Sequence, residues 1–279
     1  MRLLVKIIMK KKYSLLLFIV FFSSFAWAQF GSDEQISQLT SNLKAQNRAD
    51  KMVEIGQKFL GLPYLASTLE SPQEKLICRL DGFDCYTYVE TLLALTLLSE
   101  KSDKSLAAFQ NQMQELRYRN GKINGYGSRI HYFFEWAKHA EKLGYVKDMT
   151  PILGQKKPLS INFMSTHRQY YPAFKTDEAV LKDIKTMEDG LKSMTFFEIK
   201  KENLKEQAAK IKTGDIIAYT SNVAGLDVNH EGIAFWKNGQ LHFMHASSEE
   251  KKIVISSETI DQYIQRIKKH SGLMVLRLI

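Results

Sequence analysis

The chain has 279 residues, 44% of them apolar and 25% charged, and a net charge of +9. That length is enough for one substantial core, and with no low-complexity tract and no internal repeat the composition excludes a disordered or repeat-built chain. The charge suits an anionic polymer but is too modest to argue for nucleic acid, so no nucleic-acid partner is expected.

The first residues read as an export signal. Lys10, Lys11 and Lys12 form a basic start, Leu15 to Phe22 is apolar, and Ala26-Trp27-Ala28 is an A-x-A cleavage pattern. The apolar stretch, ~12 residues, is short of the ~20 that a membrane span needs. Residues 1–28 are therefore expected to be a signal peptide cleaved after Ala28, with an uncleaved anchor as the alternative. Arg2, Lys6, Lys10, Lys11 and Lys12 leave with it, so the mature chain carries +4. Residues 29–279 are expected as one domain and a monomer, periplasmic or secreted, without stable membrane insertion.

In chain order, Ile36, Leu39, Leu43, Met52, Val53, Ile55, Phe59 and Leu60 predict one or two amphipathic helices over 33–60. Gly61-Leu62-Pro63-Tyr64 breaks them. Residues 85–98 are apolar on nearly every side, the pattern of a helix buried inside a core. A further amphipathic helix covers about 104–118. Gly125 and Gly127 mark a loop. Ser128 is placed to cap a helix from Arg129 to about Leu143, which Gly144 ends. Residues 150–175 read as irregular, and 177–192 and 201–211 as helical around a strand at 195–199. The last third changes to short strands at 215–219, 231–236, 241–245, 252–255 and 273–278. Helices first and strands later predict an α+β fold with an antiparallel sheet.

The chemistry concentrates at Cys85, in Gly82-Phe83-Asp84-Cys85-Tyr86-Thr87, where a loop runs into the buried helix. A helix start favours a thiolate, and Asp84 is placed as the N-cap. A disulfide to Cys78, seven residues away, is the competing structural reading. His230 and His245 lie far downstream, on either side of Lys237-Asn238-Gly239-Gln240. Asn-Gly is the strongest two-residue hairpin signal. It pairs Lys237 with Gln240 and therefore Gly232 with His245, which makes His230 and His245 diagonal neighbours on one face, ~7–8 Å apart at the backbone. His242 pairs with Phe235 and points to the other face. Thiol, base and orienting imidazole are the parts of nucleophilic catalysis. A zinc site of Cys85, His230 and His245 is the alternative use, although no H-E-x-x-H or C-x-x-C motif supports a metal, and no cofactor is expected.

Phe83-Asp84-Cys85, Asp227-Val228-Asn229-His230-Glu231-Gly232-Ile233-Ala234 and His245-Ala246-Ser247-Ser248 resemble the NlpC-type, papain-like cell-wall cysteine peptidases. Pro63-Tyr64, Ser128-Arg129-Ile130-His131-Tyr132, Asn162-Phe163-Met164-Ser165 and Gly214-Asp215-Ile216-Ile217 resemble the N-acetylmuramoyl-L-alanine amidase-like branch of that group, over about residues 50–277. Tyr86 and Tyr88 depart from the pattern, which has smaller or apolar residues there. The resemblance implies a papain-like core in which the nucleophile helix packs on the C-terminal sheet. A helical insertion at about 145–212 would wall the cleft. It implies Cys85 as nucleophile, His230 as base, His245 as the orienting residue and Tyr64 on the oxyanion side. Ser128, Arg129, His131 and Tyr132 become candidates for a substrate wall, with Arg129 pairing a substrate carboxylate. The activity implied is cleavage of the amide between N-acetylmuramic acid and L-alanine, with peptidoglycan fragments or cell wall as partner. A D-glutamyl–diamino acid endopeptidase, or a non-catalytic cell-wall binding protein with Cys78 and Cys85 bridged, are the alternatives.

The signal reading predicts that the exported protein begins at Gln29, which intact-mass measurement checks. A product that retains residues 13–25 and sediments with membranes establishes the anchor instead.

Overall fold

The computed structural model describes residues 31–279. The expected signal peptide lies outside them. Among the described residues no helix is long and apolar enough to cross a membrane.

The helices and strands run in chain order as α1 (Asp33–Thr40), α2 (Arg48–Gln57), α3 (Cys85–Leu98), α4 (Leu106–Arg117), α5 (Phe133–Lys142), β1 (Val146–Asp148), α6 (Thr150–Leu153), β2 (Gln155–Lys157), α7 (Phe163–Thr166), α8 (Glu178–Leu191), β3 (Phe196–Lys200), α9 (Leu204–Gln207), β4 (Ile216–Ser221), β5 (Val228–Lys237), β6 (Gln240–Ser247), β7 (Lys252–Ile255), α10 (Ile260–Arg266) and β8 (His270–Leu278). The strands form one eight-stranded sheet in the order β2-β3-β8-β4-β5-β6-β7, with β1 paired to β8, and every pairing is antiparallel. The expected α+β class with an antiparallel sheet is what the chain adopts. The segment read as a helical insertion also supplies β1, β2 and β3, so it is part of the sheet and not only a covering of helices. The short helix α10 was not read from the sequence.

Strand alternation divides the core in two. Ile216, Ala218, Ile233, Met244, Ala246, Met274 and Leu276 face the large core built around α3. Ile217, Tyr219, Ala234, Phe243, Leu273 and Val275 face a smaller core with Leu204, Ile260 and Ile264. Helix α3 has buried residues all round, from Thr87 to Leu98, as its apolar sequence predicts. Its start is held by a reciprocal cap. The Asp84 carboxylate accepts the Thr87 N–H at 2.8 Å while the Thr87 hydroxyl accepts the Asp84 N–H at 3.0 Å. Tyr88 donates its hydroxyl to the Gly56 carbonyl at 3.1 Å, which ties α3 to α2.

A helix so enclosed must neutralise its one internal acid. Glu90 is fully buried, and Arg117 at the end of α4 donates Nε to it at 2.8 Å and one terminal nitrogen at 2.5 Å. The other terminal nitrogen of Arg117 bonds the Ile77 carbonyl. Removing one member of such a pair leaves an uncompensated buried charge. Arg117→Met is therefore expected to cost about 3–5 kcal/mol, and Glu90→Leu/Arg117→Met to recover most of it, as measured by urea denaturation. A single variant as stable as the double one would show that the pair is not the link between α3 and α4.

Candidate active site

The hairpin of β5 and β6 has the register that its turn predicts. Lys237 pairs with Gln240, Phe235 with His242 and Ile233 with Met244, and Asn238 and Gly239 take φ of 50° and 73°, as a two-residue turn of this type requires. The ladder ends at Ile233 and Met244. Beyond it His230 and His245 turn toward each other, and His230 Nε2 lies 2.7 Å from His245 Nδ1. Gly232 makes the approach possible, because a Cβ there would stand 2.7 Å from the Met244 carbonyl oxygen and 3.1 Å from the His245 Cβ. His242 points away, its Nδ1 held 3.0 Å from the Ser256 carbonyl oxygen.

The pair is packed in aromatic side chains. Phe243 lies 4.2 Å from the His245 ring, and Tyr263 of α10 5.8 Å from that of His230. Burial holds the His230 imidazole well below its usual range, with His245 and His270 adding to the effect. Burial likewise holds His245 down at about 3, against a small opposing pull from Glu249. Both imidazoles are neutral at neutral pH. His270 completes this cluster, 4.8 Å from the Tyr219 ring. Its Nδ1 and the Tyr219 hydroxyl are buried without hydrogen-bond partners.

Cys85 opens α3 and lines a cleft of about 260 Å³ together with His230, Glu231, Asp227, Tyr86, His131, Tyr132, Met164 and Tyr171, among others. A larger depression of about 750 Å³ lies elsewhere, among Arg48, Lys212 and Arg277, and is lined by no cysteine or histidine. The expectation of a thiol lowered by the helix start is corrected by the structure. Burial, then the Glu231 and Asp84 carboxyls, push the Cys85 thiol well above its usual value, and backbone hydrogen bonds from Glu231 and Tyr86 only partly oppose this. Half a charge at a helix terminus is outweighed by loss of solvent. Cys78 and Cys85 are separate thiols. Cys78 is buried near Arg117 and Glu90, and burial pushes it up to about 11.

The remaining candidates divide. Tyr64 is half-buried and bridged to Phe83, and its hydroxyl is pushed up to about 12 by burial and by the nearby Cys85 and Asp84. His131 reaches the cleft, with its Nε2 2.9 Å from the Tyr126 carbonyl oxygen, and burial keeps it neutral. Tyr132 also lines it, its hydroxyl donating to Glu188 of α8 and accepting the Met164 N–H, both at 2.8 Å. Ser128 is not a helix cap. It sits in a tight turn, where its hydroxyl donates to the Gly125 carbonyl at 2.7 Å and accepts the Asn124 N–H at 2.9 Å. Arg129 is likewise outside the helix, in an extended bridge to Tyr118. Its guanidinium pairs with Glu70 at 2.9 Å and Glu74 at 3.3 Å and lies over the Tyr126 ring, so it is already occupied by the protein's own carboxylates. The helix begins at Phe133 and receives its cap from far away: Asp227, just before β5, accepts the Phe134 N–H at 2.8 Å. Glu231 and Asp227 lie in the sequence motif around His230, but nothing local in the sequence shows that both are buried and line the cleft of Cys85. Among the described residues no three His, Cys, Asp or Glu side chains gather to hold a metal.

A family model described as N-acetylmuramoyl-L-alanine amidase-like matches residues 54–273. Among solved structures the chain is similar to an N-acetylmuramoyl-L-alanine amidase from Bacteroides uniformis, at 37% identity over 83% of this chain and 99% of that one, with a TM-score of 0.79. A Bacteroides fragilis protein provisionally designated a xylanase is similar at 38% identity over 80% of this chain and 99% of that one, with a TM-score of 0.76. A Legionella pneumophila protein, 24% identical over 88% of this chain and 94% of that one, shares the fold with a TM-score of 0.66. No curated protein matches the chain.

Burial of the histidine pair sets a pH response. His245 falls from 6.5 to about 3 on folding, so the folded state binds fewer protons than the unfolded chain in that window. Its stabilising contribution is complete above the upper value and is lost as pH falls toward the lower. Asp227, raised from 3.8 to about 6, acts in the opposite sense between those values. His245→Asn is expected to lose less stability than the wild type between about pH 7 and pH 4.5, as read from urea-denaturation midpoints. Parallel losses in the two proteins would show that His245 titrates normally.

Proposed function

Because the chain belongs to the N-acetylmuramoyl-L-alanine amidase-like family, we propose that it is an exported, monomeric peptidoglycan hydrolase, working in the periplasm or outside the cell. It cuts the amide between N-acetylmuramic acid and L-alanine by cysteine catalysis on a papain-like core. The observation that carries this reading is the convergence on one cleft of Cys85, at the capped start of α3, and His230, which is hydrogen-bonded to His245 behind it. A xylanase needs two carboxyl groups flanking the bond as acid and partner. The carboxyls here adjoin a thiol and an imidazole, which suits amide cleavage better. The bridged-scaffold alternative lacks its bridge.

His245 orients His230 when the His230 Nε2–H donates to His245 Nδ1, which leaves His230 Nδ1 bare as the base. Thiol and imidazole both rest neutral, so the proton moves as the substrate is attacked and not before. The sulfur bonds the lactyl carbonyl carbon, the carbonyl electron pair moves to oxygen, and the thiol proton passes to His230. Collapse of this adduct breaks the C–N bond, and the L-alanine amine leaves with that proton. Water then hydrolyses the acyl-enzyme with His230 again as base. Tyr64, beside the thiol, stands on the side where the oxyanion forms.

Incubation with a muramoyl tripeptide tests the reading by fragment mass. Free stem peptide beginning at L-alanine is expected, whereas L-alanyl-D-glutamate left on the sugar establishes the endopeptidase. Cys85→Ala should abolish turnover while Cys78→Ala keeps most of it. His230→Ala should cost about 10²–10⁴-fold, more than His245→Asn. His242→Ala should do little, since it faces away from the pair.

A further inference from the structure

Beside the thiol and the histidine pair lies a buried acid with no structural task. Glu231 follows His230 on β5, so its side chain points to the opposite face of the sheet, the face that carries Ile233 and packs with α3. It is only 4% exposed. Other buried acids of the chain are partnered: Glu90 by Arg117, Asp227 by the Phe134 N–H, Glu188 by Tyr132, Glu198 by Lys157 and Asp215 by Arg277. Among the described residues no hydrogen bond or ion pair reaches the Glu231 carboxyl, and Glu231 is one of the residues that line the cleft with Cys85 and His230.

Its neighbours determine which form it holds. Asp84, Cys85, Tyr86 and Glu90 face it from α3, and Asp227 from the turn before β5. β4 presents Ala218 opposite it, and its own strand presents the neutral His230. Arg117 of α4 and Arg129 are the cations that act on the neighbouring Tyr86, and Glu90 engages the first while Glu70 and Glu74 engage the second. Burial, with Asp84, Asp227 and Glu90 adding to it, keeps the proton on Glu231 far above the usual carboxylate range. An ionised Glu231 would oppose a thiolate at Cys85; a neutral one does not. A neutral carboxyl also has what a carboxylate lacks, an O–H to donate.

We propose that Glu231 is a carboxylic acid whose O–H donates a hydrogen bond to the substrate carbonyl oxygen while Cys85 attacks the carbonyl carbon. This rests on the amide-hydrolysis reading above. During the attack the S–C bond forms, the carbonyl electron pair moves to oxygen and the thiol proton goes to His230. The Glu231 O–H bond stays intact and shortens its hydrogen bond as charge builds on that oxygen. A donor aimed at developing charge in a closed site strengthens in the transition state, so the contribution falls on kcat.

The test compares the wild type with Glu231→Gln, which keeps an N–H donor and cannot ionise, and Glu231→Ala, which has no donor. Glu231→Met, of similar volume, replaces Glu231→Ala should that variant not fold. Expected are a carboxylic-acid C=O band in the wild-type infrared spectrum at about pH 7 that Glu231→Gln lacks, and turnover of a muramoyl tripeptide by Glu231→Gln within about fivefold of wild type. Glu231→Ala should lose about 10²-fold or more in kcat, with iodoacetamide still alkylating Cys85 in both variants. Turnover by Glu231→Gln should also persist to higher pH than the wild type's. The proposal is overturned if the acid band is missing, if Glu231→Gln is as impaired as Glu231→Ala, or if Glu231→Ala stays within about fivefold of wild type. If the wild type cuts the D-glutamyl bond instead, the amidase reading falls, and the same comparisons are scored on that turnover.

Discussion

Complete enclosure of α3 is the constraint on which the rest depends. A helix with apolar residues on every side can be buried only if its polar ends and its one internal acid are neutralised locally. The Asp84–Thr87 cap does this at the start, and Arg117 does it for Glu90 along the helix. Cys85 is the first residue of the helix, so the same packing that encloses the helix fixes the sulfur in the cleft. The thiol needs no separate scaffold, because it opens the helix that the core encloses on every side.

That position has an electrostatic consequence. Cys85, His230 and His131 in the cleft, and His245 behind His230, are held in their uncharged forms: the thiol is pushed up and the three imidazoles are held down. Desolvation is the first cause in each, and the helix terminus does not reverse it. A resting thiolate–imidazolium pair is therefore disfavoured. The apolar shell of Phe243, Tyr219 and Tyr263 that orients the histidines is the same shell that discharges them.

The wall of the cleft is tied to its floor by contacts remote in sequence. Asp227 caps α5, Tyr132 at the start of α5 bonds Glu188 of α8, and its hydroxyl accepts the Met164 N–H. These bonds assemble the segment 145–212 around the strand that carries His230. Arg129 illustrates the limit of reading such a wall from sequence. A basic residue near the site looks available for an anionic ligand, but Glu70 and Glu74 fold back onto it and satisfy its charge internally.

What the sequence determined by itself was everything set by local periodicity and turn chemistry. The all-round apolar run at 85–98 located the buried helix, Asp84 its cap, and Asn238-Gly239 a register that brings His230 beside His245, while alternation identified the later strands. The misread parts were those decided by partners distant along the chain. Ser128 and Arg129 read as a helix start, yet the bridge to Tyr118 and the remote cap from Asp227 move that start to Phe133. Strands β1 and β2 were not read at all, and three residues each are too short for periodicity to register before the sheet edge accepts them. Only the tertiary structure decided the charge states, since burial depends on what packs above a residue and not on its neighbours in sequence. The motif around His230 contains Glu231, but that its carboxyl lies buried without a partner beside a thiol follows from the packing of α3 against β5.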